Sequence, residues 1–476
     1  MTRSTLLTSW WAVAAVTVWA VGIGIPPAVA SDPDIEDRKV VSYGPLDVAV
    51  HEVSAAAWPA DPDPKLVAMW MAGNSGPPDP SMFYGVSTNG GGTWTDAQLS
   101  FPEGDRSAGD PSVGASPDGT FVAALLGVPS GTFQPSLYVT RMLPGSQQFE
   151  EARLIELGGF DFPRLVTGPG PGPGGEPYFY IVLGGLKFTR STDLGMSWLD
   201  VEPLQVNGEN VTGWAPAPAV RPDNGTIYVA YGYGVTPDPS FLRLVESTDN
   251  GDSFSHLAGL NEPIKAIDLR YDDFVPGTFN IPGFARMAID PSDPDRLYLV
   301  FNDLYDEPLE NPVDGDVDVY LMRSTDGGQT WLPRQRINQD RLYDPQDPDW
   351  TDHVLFDQFM PEINVDSAGR VHIIWYDTRK DHPAADDPQP FDIELYYAWS
   401  TDNGQTFTEE LIGKAIDTAD LLQPGFIGDY NALTSAGDLV IPVYMGTRDP
   451  EALPPWQAPG GPKQLDETTF SNRILH

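Results

Sequence analysis

The sequence predicts an all-β fold, a β-propeller of four-stranded blades, with seven blades favoured and six as the alternative. An octet, Ser324–Trp331, recurs in the same frame at Ser87–Trp94, Ser191–Trp198, Ser247–Phe254 and Ser400–Phe407. Copies of one pattern spread along a chain mark a repeat architecture. Apolar runs rich in β-branched and aromatic residues stand at Leu66–Trp70, Phe121–Leu125, Tyr178–Val182, Thr226–Ala230, Arg296–Phe301, Val371–Trp375 and Leu439–Tyr444. Gly, Pro and Asp bound these runs, as expected of strands. No stretch carries a helical 3.6-residue period, and Gly and Pro punctuate the whole chain.

The octet reads as a β-hairpin turn. Asp326 is placed to fold its carboxylate onto backbone N–H groups, Gly327 and Gly328 supply positive φ, and Trp331 starts the next strand with its indole over the turn. Around it the chain repeats one theme: a first strand, a Pro/Asp/Gly turn, an apolar second strand, a variable loop, a third strand, the octet and a fourth strand. Seven such units start near residues 46, 107, 160, 212, 284, 357 and 426. Residues 40–476 give about 62 per unit over seven units, a fitting size for a blade with loops, against about 73 over six. Unit two carries Tyr138–Gly145 in place of the octet, and unit seven carries none, so its outer strand is expected from the segment around Val40. Pro169–Gly175 resembles a linker but falls inside unit three and reads as a loop. Residues 31–476 are expected to form a single domain.

Composition sets the compartment and excludes partners. Arg3, the apolar run Leu6–Ile25 and the A-x-A site Ala28–Ala30 read as a cleaved signal peptide over residues 1–30. The alternative is an uncleaved anchor, because the apolar run is long enough to span a bilayer. The expected location is secreted, periplasmic or cell-surface, with no membrane insertion after cleavage. The chain has no cysteine, which removes disulfides and thiol chemistry. The formal net charge is −41, a field that repels nucleic acid and acidic membranes. It reads as a solvated acidic surface on a monomer. Calcium held by Asp314–Asp318 or Asp344–Asp349 is the one cofactor the sequence offers, although neither run has the spacing of a 12-residue calcium loop. No His/Asp/Glu cluster has metal-ligand spacing, and His51 and His353 read as structural.

Blade register points to a site. Counting back from the turns at Pro59, Gly119, Pro169, Gly225, Pro291, Gly369 and Gly437 places Ser54, Ser112, Arg164, Pro218, Arg286, Glu362 and Tyr430 at equivalent positions on the innermost strands. In a propeller these ends ring the central channel. Arg379 and Arg448 leave the second strands of units six and seven at the same rim. Arginine forks onto carboxylates, and a tyrosine becomes nucleophilic only beside a base, here Glu362. Each residue also has a structural reading: arginines pairing aspartates between blades, a core tyrosine with a satisfied hydroxyl, Asp314 in a turn.

The octets match the Asp-box, or bacterial neuraminidase repeat, S/T-x-D-x-G-x-T-W/F, and the chain thereby resembles the sialidase superfamily of propellers across most of its length. Gly428–Tyr444 resembles the family's Y-S-x-L-T…D-G-x-I-x-x-L-Y-E segment, with Met445 in place of the glutamate. Phe284–Ile289 and Asp314–Asp326 resemble its arginine strand and its D-x-G-D-I-D segment. The resemblance implies Tyr430 as nucleophile, Asp314 as acid/base, and Arg286 as a carboxylate-binding arginine alongside Arg164, Arg379 and Arg448. It implies a sialidase-like glycoside hydrolase acting on terminal, anionic sugars of a glycan at the channel mouth. Two other readings stand beside it: a non-catalytic glycan- or protein-binding propeller, and a glycosidase using an aspartate pair on the rim loops.

Overall fold

Seven four-stranded antiparallel blades form a β-propeller in the computed structural model. It describes residues 33–36, 39–41, 49–60, 62–73, 81–171, 175–234, 240–264, 268–269, 281–282, 284–304, 317–340, 357–380, 392–418, 426–447 and 467–476. Among these residues there is no α-helix, and so none long and apolar enough to cross a membrane. The signal-peptide segment lies outside the described residues.

Blades one to six each use consecutive strands, running from the channel outwards in chain order. The innermost strands are Val50–Trp58, Arg106–Ala115, Arg164–Gly168, Trp214–Val220, Arg286–Ile289 and Gln358–Val365. Blade seven is composite. Ala432–Ala436 and Leu439–Thr447 form its inner pair, Glu467–Ser471 and Ile474–Leu475 form its third layer, and Lys39–Val40 and Asp34–Ile35 form its edge. The N-terminal segment thus closes the ring, as the missing seventh octet implies.

The second strands explain the apolar runs. Each lies between two neighbouring blades, so both faces are buried and the strand needs no polar alternation. In blade two, Phe121, Ala123 and Leu125 pack against blade one, while Val122, Ala124 and Leu126 pack against blade three. The same two-sided use is continuous around the ring.

Each octet closes the turn between a third and a fourth strand. Ser324 Oγ donates to Asp326 Oδ1 (2.8 Å) and accepts the Gly328 N–H (2.9 Å). Asp326 accepts the Thr330 N–H (2.8 Å) and hydroxyl (2.6 Å), and the Trp331 indole donates to the Gly328 carbonyl (3.2 Å). Gly327 and Gly328 take φ of 68° and 83°. Asn89 reproduces the turn in the first copy, accepting the Thr93 N–H at 2.9 Å. Blade two turns instead through Leu143–Ser146, with Gly145 at φ 79°.

Hydrogen bonds from Thr330 hold the Asp326 carboxyl below its usual range. Its contribution is therefore complete above about pH 4 and is lost as pH falls through the folded value. Asp326→Ala is expected to lower unfolding free energy by roughly 1 kcal/mol, and Asp326→Asn by less than half as much, because Asn89 makes the same turn. Chemical denaturation checks this, and equal losses in the two variants contradict it.

Candidate functional site

The site begins with a repeated bulge at the start of the innermost strands. Glu52, Asp110, Phe162, Ala215 and Met360 all have left-handed φ, between 47° and 54°. Each lies two residues before a channel position: Ser54, Ser112, Arg164, Ala217 and Glu362. The ladders of blades one, two, four and six shift register at this point. Left-handed φ is costly for residues with a Cβ, so a kink repeated around a ring marks a place where structure over-determines the backbone. Its effect is to turn one side chain per blade towards the end of the channel opposite the octets.

Those side chains link the blades. Glu52 Oε2 accepts the Asp110 N–H (2.8 Å), and Asp110 Oδ2 accepts the Phe162 N–H (3.3 Å). One layer deeper, Ser54 Oγ accepts the Val113 N–H (3.0 Å), and Ser112 Oγ accepts the Leu165 N–H (2.9 Å). The series then stops for a covalent reason. The next residue in line is Pro218, which has no N–H to donate. Blade three carries Arg164 where blades one and two carry serine.

Above the Arg164 layer, aromatic rings from blades three, five and seven meet across the axis. Phe162 contacts Phe284 edge-on at 4.5 Å and Tyr430 at 5.8 Å. With Ala215 and Trp214 they form a separate apolar cluster. Beneath them is a channel cavity of about 230 Å³ lined by Ser54, Ser112, Arg164, Arg286, Glu362 and Asn431, among others. Counting from the turns therefore finds this ring, and of the counted residues only Tyr430 is not part of its lining. In blade seven Asn431 lines the cavity, while Tyr430, one residue earlier, joins the aromatic plug.

Arg164 and Arg286 both lie over the Tyr430 ring, at 4.2 and 5.7 Å. Glu362 accepts from Arg286 Nε at 2.5 Å. The Tyr430 hydroxyl donates to Asp110 Oδ1 (3.3 Å), so Asp110, and not Glu362, is the carboxylate beside the phenol. Arg379 stays on blade six, with its guanidinium on Asp377 (2.6 and 2.9 Å) and Glu409 (2.5 Å) and over the Tyr396 ring. Asp314 and Arg448 lie outside the described residues, as do His353 and the Asp344–Asp349 run. Asp318 is engaged by Arg336 and Asn338. Among the described residues no group of acidic or histidine side chains is arranged to hold a metal ion.

On the outer side of the plug lies a carboxylate arc: Glu52, Asp110, Asp161 and Asp429, from the neighbouring blades one, two and three and the connection entering blade seven. Glu52 and Asp110 are buried, Asp429 is half-buried and Asp161 is exposed. Packing within the arc is close. A Cβ on Gly428 would stand 2.9 Å from the Glu52 backbone nitrogen, and one on Gly109 would stand 3.0 Å from Glu52 Oε2. Burial, then the charges of Asp110 and Asp429, pushes Glu52 well above the usual carboxylate range. Burial, then Asp161 and Asp429, raises Asp110 to about 7, and Asp110 shares a hydrogen bond with Asp161. Burial and Asp161 raise Asp429 to about 6 against the pull of Arg164 and Arg286. Carboxylates this close hold protons at neutral pH because they cannot all ionise. Glu52, Asp110, Asp161 and Asp429 are absent from the sequence expectation. The signal for two of them was a position two residues ahead of the counted serines.

The chain is similar in fold to a Dyadobacter fermentans protein of unknown function (16% identity, TM-score 0.48, 93% of this chain and 99% of that one). It is also similar to the phage phi92 endosialidase (12%, 0.47, 93% and 69%) and to a Fusarium graminearum α-L-arabinofuranosidase (13%, 0.43, 93% and 98%). No family model and no curated protein matches it.

A raised folded-state pKa means that the native state holds its proton longer than the unfolded chain, so stability falls as pH rises between the two values. For Asp110 that window runs from about 3.9 to about 7. Asp110→Asn removes this term. The stability difference, variant minus wild type, is expected to grow across that window and to level off above it. Urea unfolding at a series of pH values checks this, and a pH-independent difference contradicts it.

Proposed function

We propose that the protein is an exported, sugar-acting propeller, a glycoside hydrolase whose chemistry occurs at the channel mouth on the outer side of the aromatic plug. The observation that carries this is the proton-sharing carboxylate arc. Glycoside hydrolysis needs one carboxyl group that keeps its proton near neutral pH and a second that does not. Asp429, raised to about 6 and half-buried, suits the acid that protonates the leaving oxygen. Exposed Asp161 suits the base or nucleophile, burial and Asp161 keep the Asp429 proton on, and Asp110 and Glu52 hold the arc in place. This is the aspartate-pair reading of the sequence, moved from the rim loops to the start of the inner strands.

The mouth is two-sided. Carboxylates occupy the arc of blades seven, one, two and three, while Ala215, Phe284 and Met360 occupy the other. A neutral pyranose or furanose has one polar edge and one C–H face, and it matches this division. Four carboxylates within a chain of net charge −41 favour a neutral glycoside over the anionic one that the resemblance implies. The export signal and the monomeric state belong to the same proposal.

A second reading keeps the sialidase-like mechanism, with Tyr430 as nucleophile and Asp110 in the place expected of Glu362. It is favoured by the Tyr430–Asp110 hydrogen bond and by the two arginines over the phenol ring. It requires the plug to open, because Tyr430 is 4% exposed.

A panel of neutral and anionic aryl glycosides, assayed on the signal-free protein, tests both. Under the carboxylate reading, Asp429→Asn and Asp161→Asn each lower kcat roughly 10²- to 10⁴-fold, and Tyr430→Phe has less than a tenfold effect. Activity falls as pH rises through about 6, where the acid loses its proton. Loss of all turnover in Tyr430→Phe, on a sialoside, selects the second reading. Inactivity on the whole panel with retained glycan binding selects the non-catalytic propeller.

A further inference from the structure

Arg164 is the unusual group in the channel. Its Nε and Nη2 are covered and have no hydrogen-bond partner among the described residues. The group is held by the faces of Phe162 (4.3 Å) and Tyr430 (4.2 Å), and its remaining exposed part lines the channel cavity. Aromatic faces attract a cation but do not satisfy its N–H groups, and an enclosed guanidinium without an acceptor is costly. Burial and the neighbouring Arg286 charge also lower its pKa to about 10, which shows that no carboxylate is close enough to compensate fully.

The rest of the ring is biased the same way. Glu362 is the one acid of the cavity wall and is already paired with Arg286 at 2.5 Å. Ser54 and Ser112 accept backbone N–H groups through Oγ, which leaves their hydroxyl hydrogens directed away from those contacts. Asn431 uses one amide N–H on the Met360 carbonyl and keeps a second. The wall therefore offers donors and one unbalanced positive charge inside a strongly acidic protein.

We propose that the channel cavity beneath the aromatic plug is a binding site for a small inorganic monoanion, chloride in the first instance, held by Arg164 with the Ser54 and Ser112 hydroxyls. The anion supplies the acceptor that the Arg164 guanidinium lacks. The site is separate from the carboxylate arc and does not depend on the hydrolase reading.

The test is thermal unfolding of the full protein at constant ionic strength, with sodium gluconate replaced stepwise by sodium chloride, together with chloride-35 NMR line widths. The expected result is a saturable rise in Tm of a few degrees and excess line broadening that bromide displaces. Both are lost in Arg164→Met and kept in Arg141→Met, whose arginine pairs with Glu150 on the surface. Because ionic strength is fixed, screening of the net charge does not imitate the effect. Absence of broadening in the wild-type protein, or an unchanged chloride response in Arg164→Met, overturns the proposal and leaves water as the channel's occupant. If Arg164→Met does not fold, the wild-type line widths decide, and Arg164→Lys is expected to weaken the chloride response without abolishing it.

Discussion

The inner rim of this propeller depends on one contact: a side-chain oxygen on one blade accepting a backbone N–H from the next. A blade's innermost strand is a sheet edge, and its channel-facing N–H groups have no partner within the sheet. Glu52, Ser54, Asp110 and Ser112 supply acceptors for blades two and three. The left-handed bulge makes the upper set of contacts reachable by turning a side chain sideways. Two of these acceptors, Glu52 and Asp110, are carboxylates, and packing them beside Asp161 and Asp429 in one arc raises their proton affinity.

Where the contact series stops, the structure changes character. Pro218 and Pro216 occupy an edge strand that tolerates proline because no ladder bond is lost on the channel side. Without an N–H to satisfy, blade three is free to carry Arg164, and the axis above it is closed by Phe162, Phe284 and Tyr430 in place of a hydrogen-bonded rim. The plug divides the channel into an outer acidic arc and an inner cationic ring. Within the inner ring Arg286 is paired with Glu362, while Arg164 is separated from the acidic arc by the apolar layer.

The sequence made the scaffold legible because the scaffold is local and repeated. Ser324–Trp331 carries its whole turn within eight residues, and the second strands announce two-sided burial by their unbroken apolar runs. The composite seventh blade was also readable, since a missing octet requires strands from elsewhere in the chain. The site was legible in outline only. Counting from the turns put Arg164, Arg286 and Glu362 on one ring, which is where they stand. It put Tyr430 on the same level, one residue away from Asn431, because a hairpin turn read from sequence does not fix the register of its strands to the residue. The pairing of Glu362 with Arg286 in place of Tyr430 depends on contacts between blades 76 residues apart in the chain, which no local pattern encodes. The acidic arc was hidden for another reason: in a chain with 68 acidic residues, Glu52, Asp110, Asp161 and Asp429 look like ordinary surface charge until the fold brings them together.

The central claim is that substrate binds on the outer side of the plug, against the carboxylates. A crystal structure of Asp161→Asn soaked with a slowly cleaved oligosaccharide tests it most directly. The predicted result is a neutral sugar ring lying over Phe162 and Phe284, with the glycosidic oxygen facing Asp429 and the plug closed. A sugar seated beneath the plug, with its polar groups on Arg164 and Arg286 and the Tyr430 hydroxyl at the anomeric carbon, contradicts it.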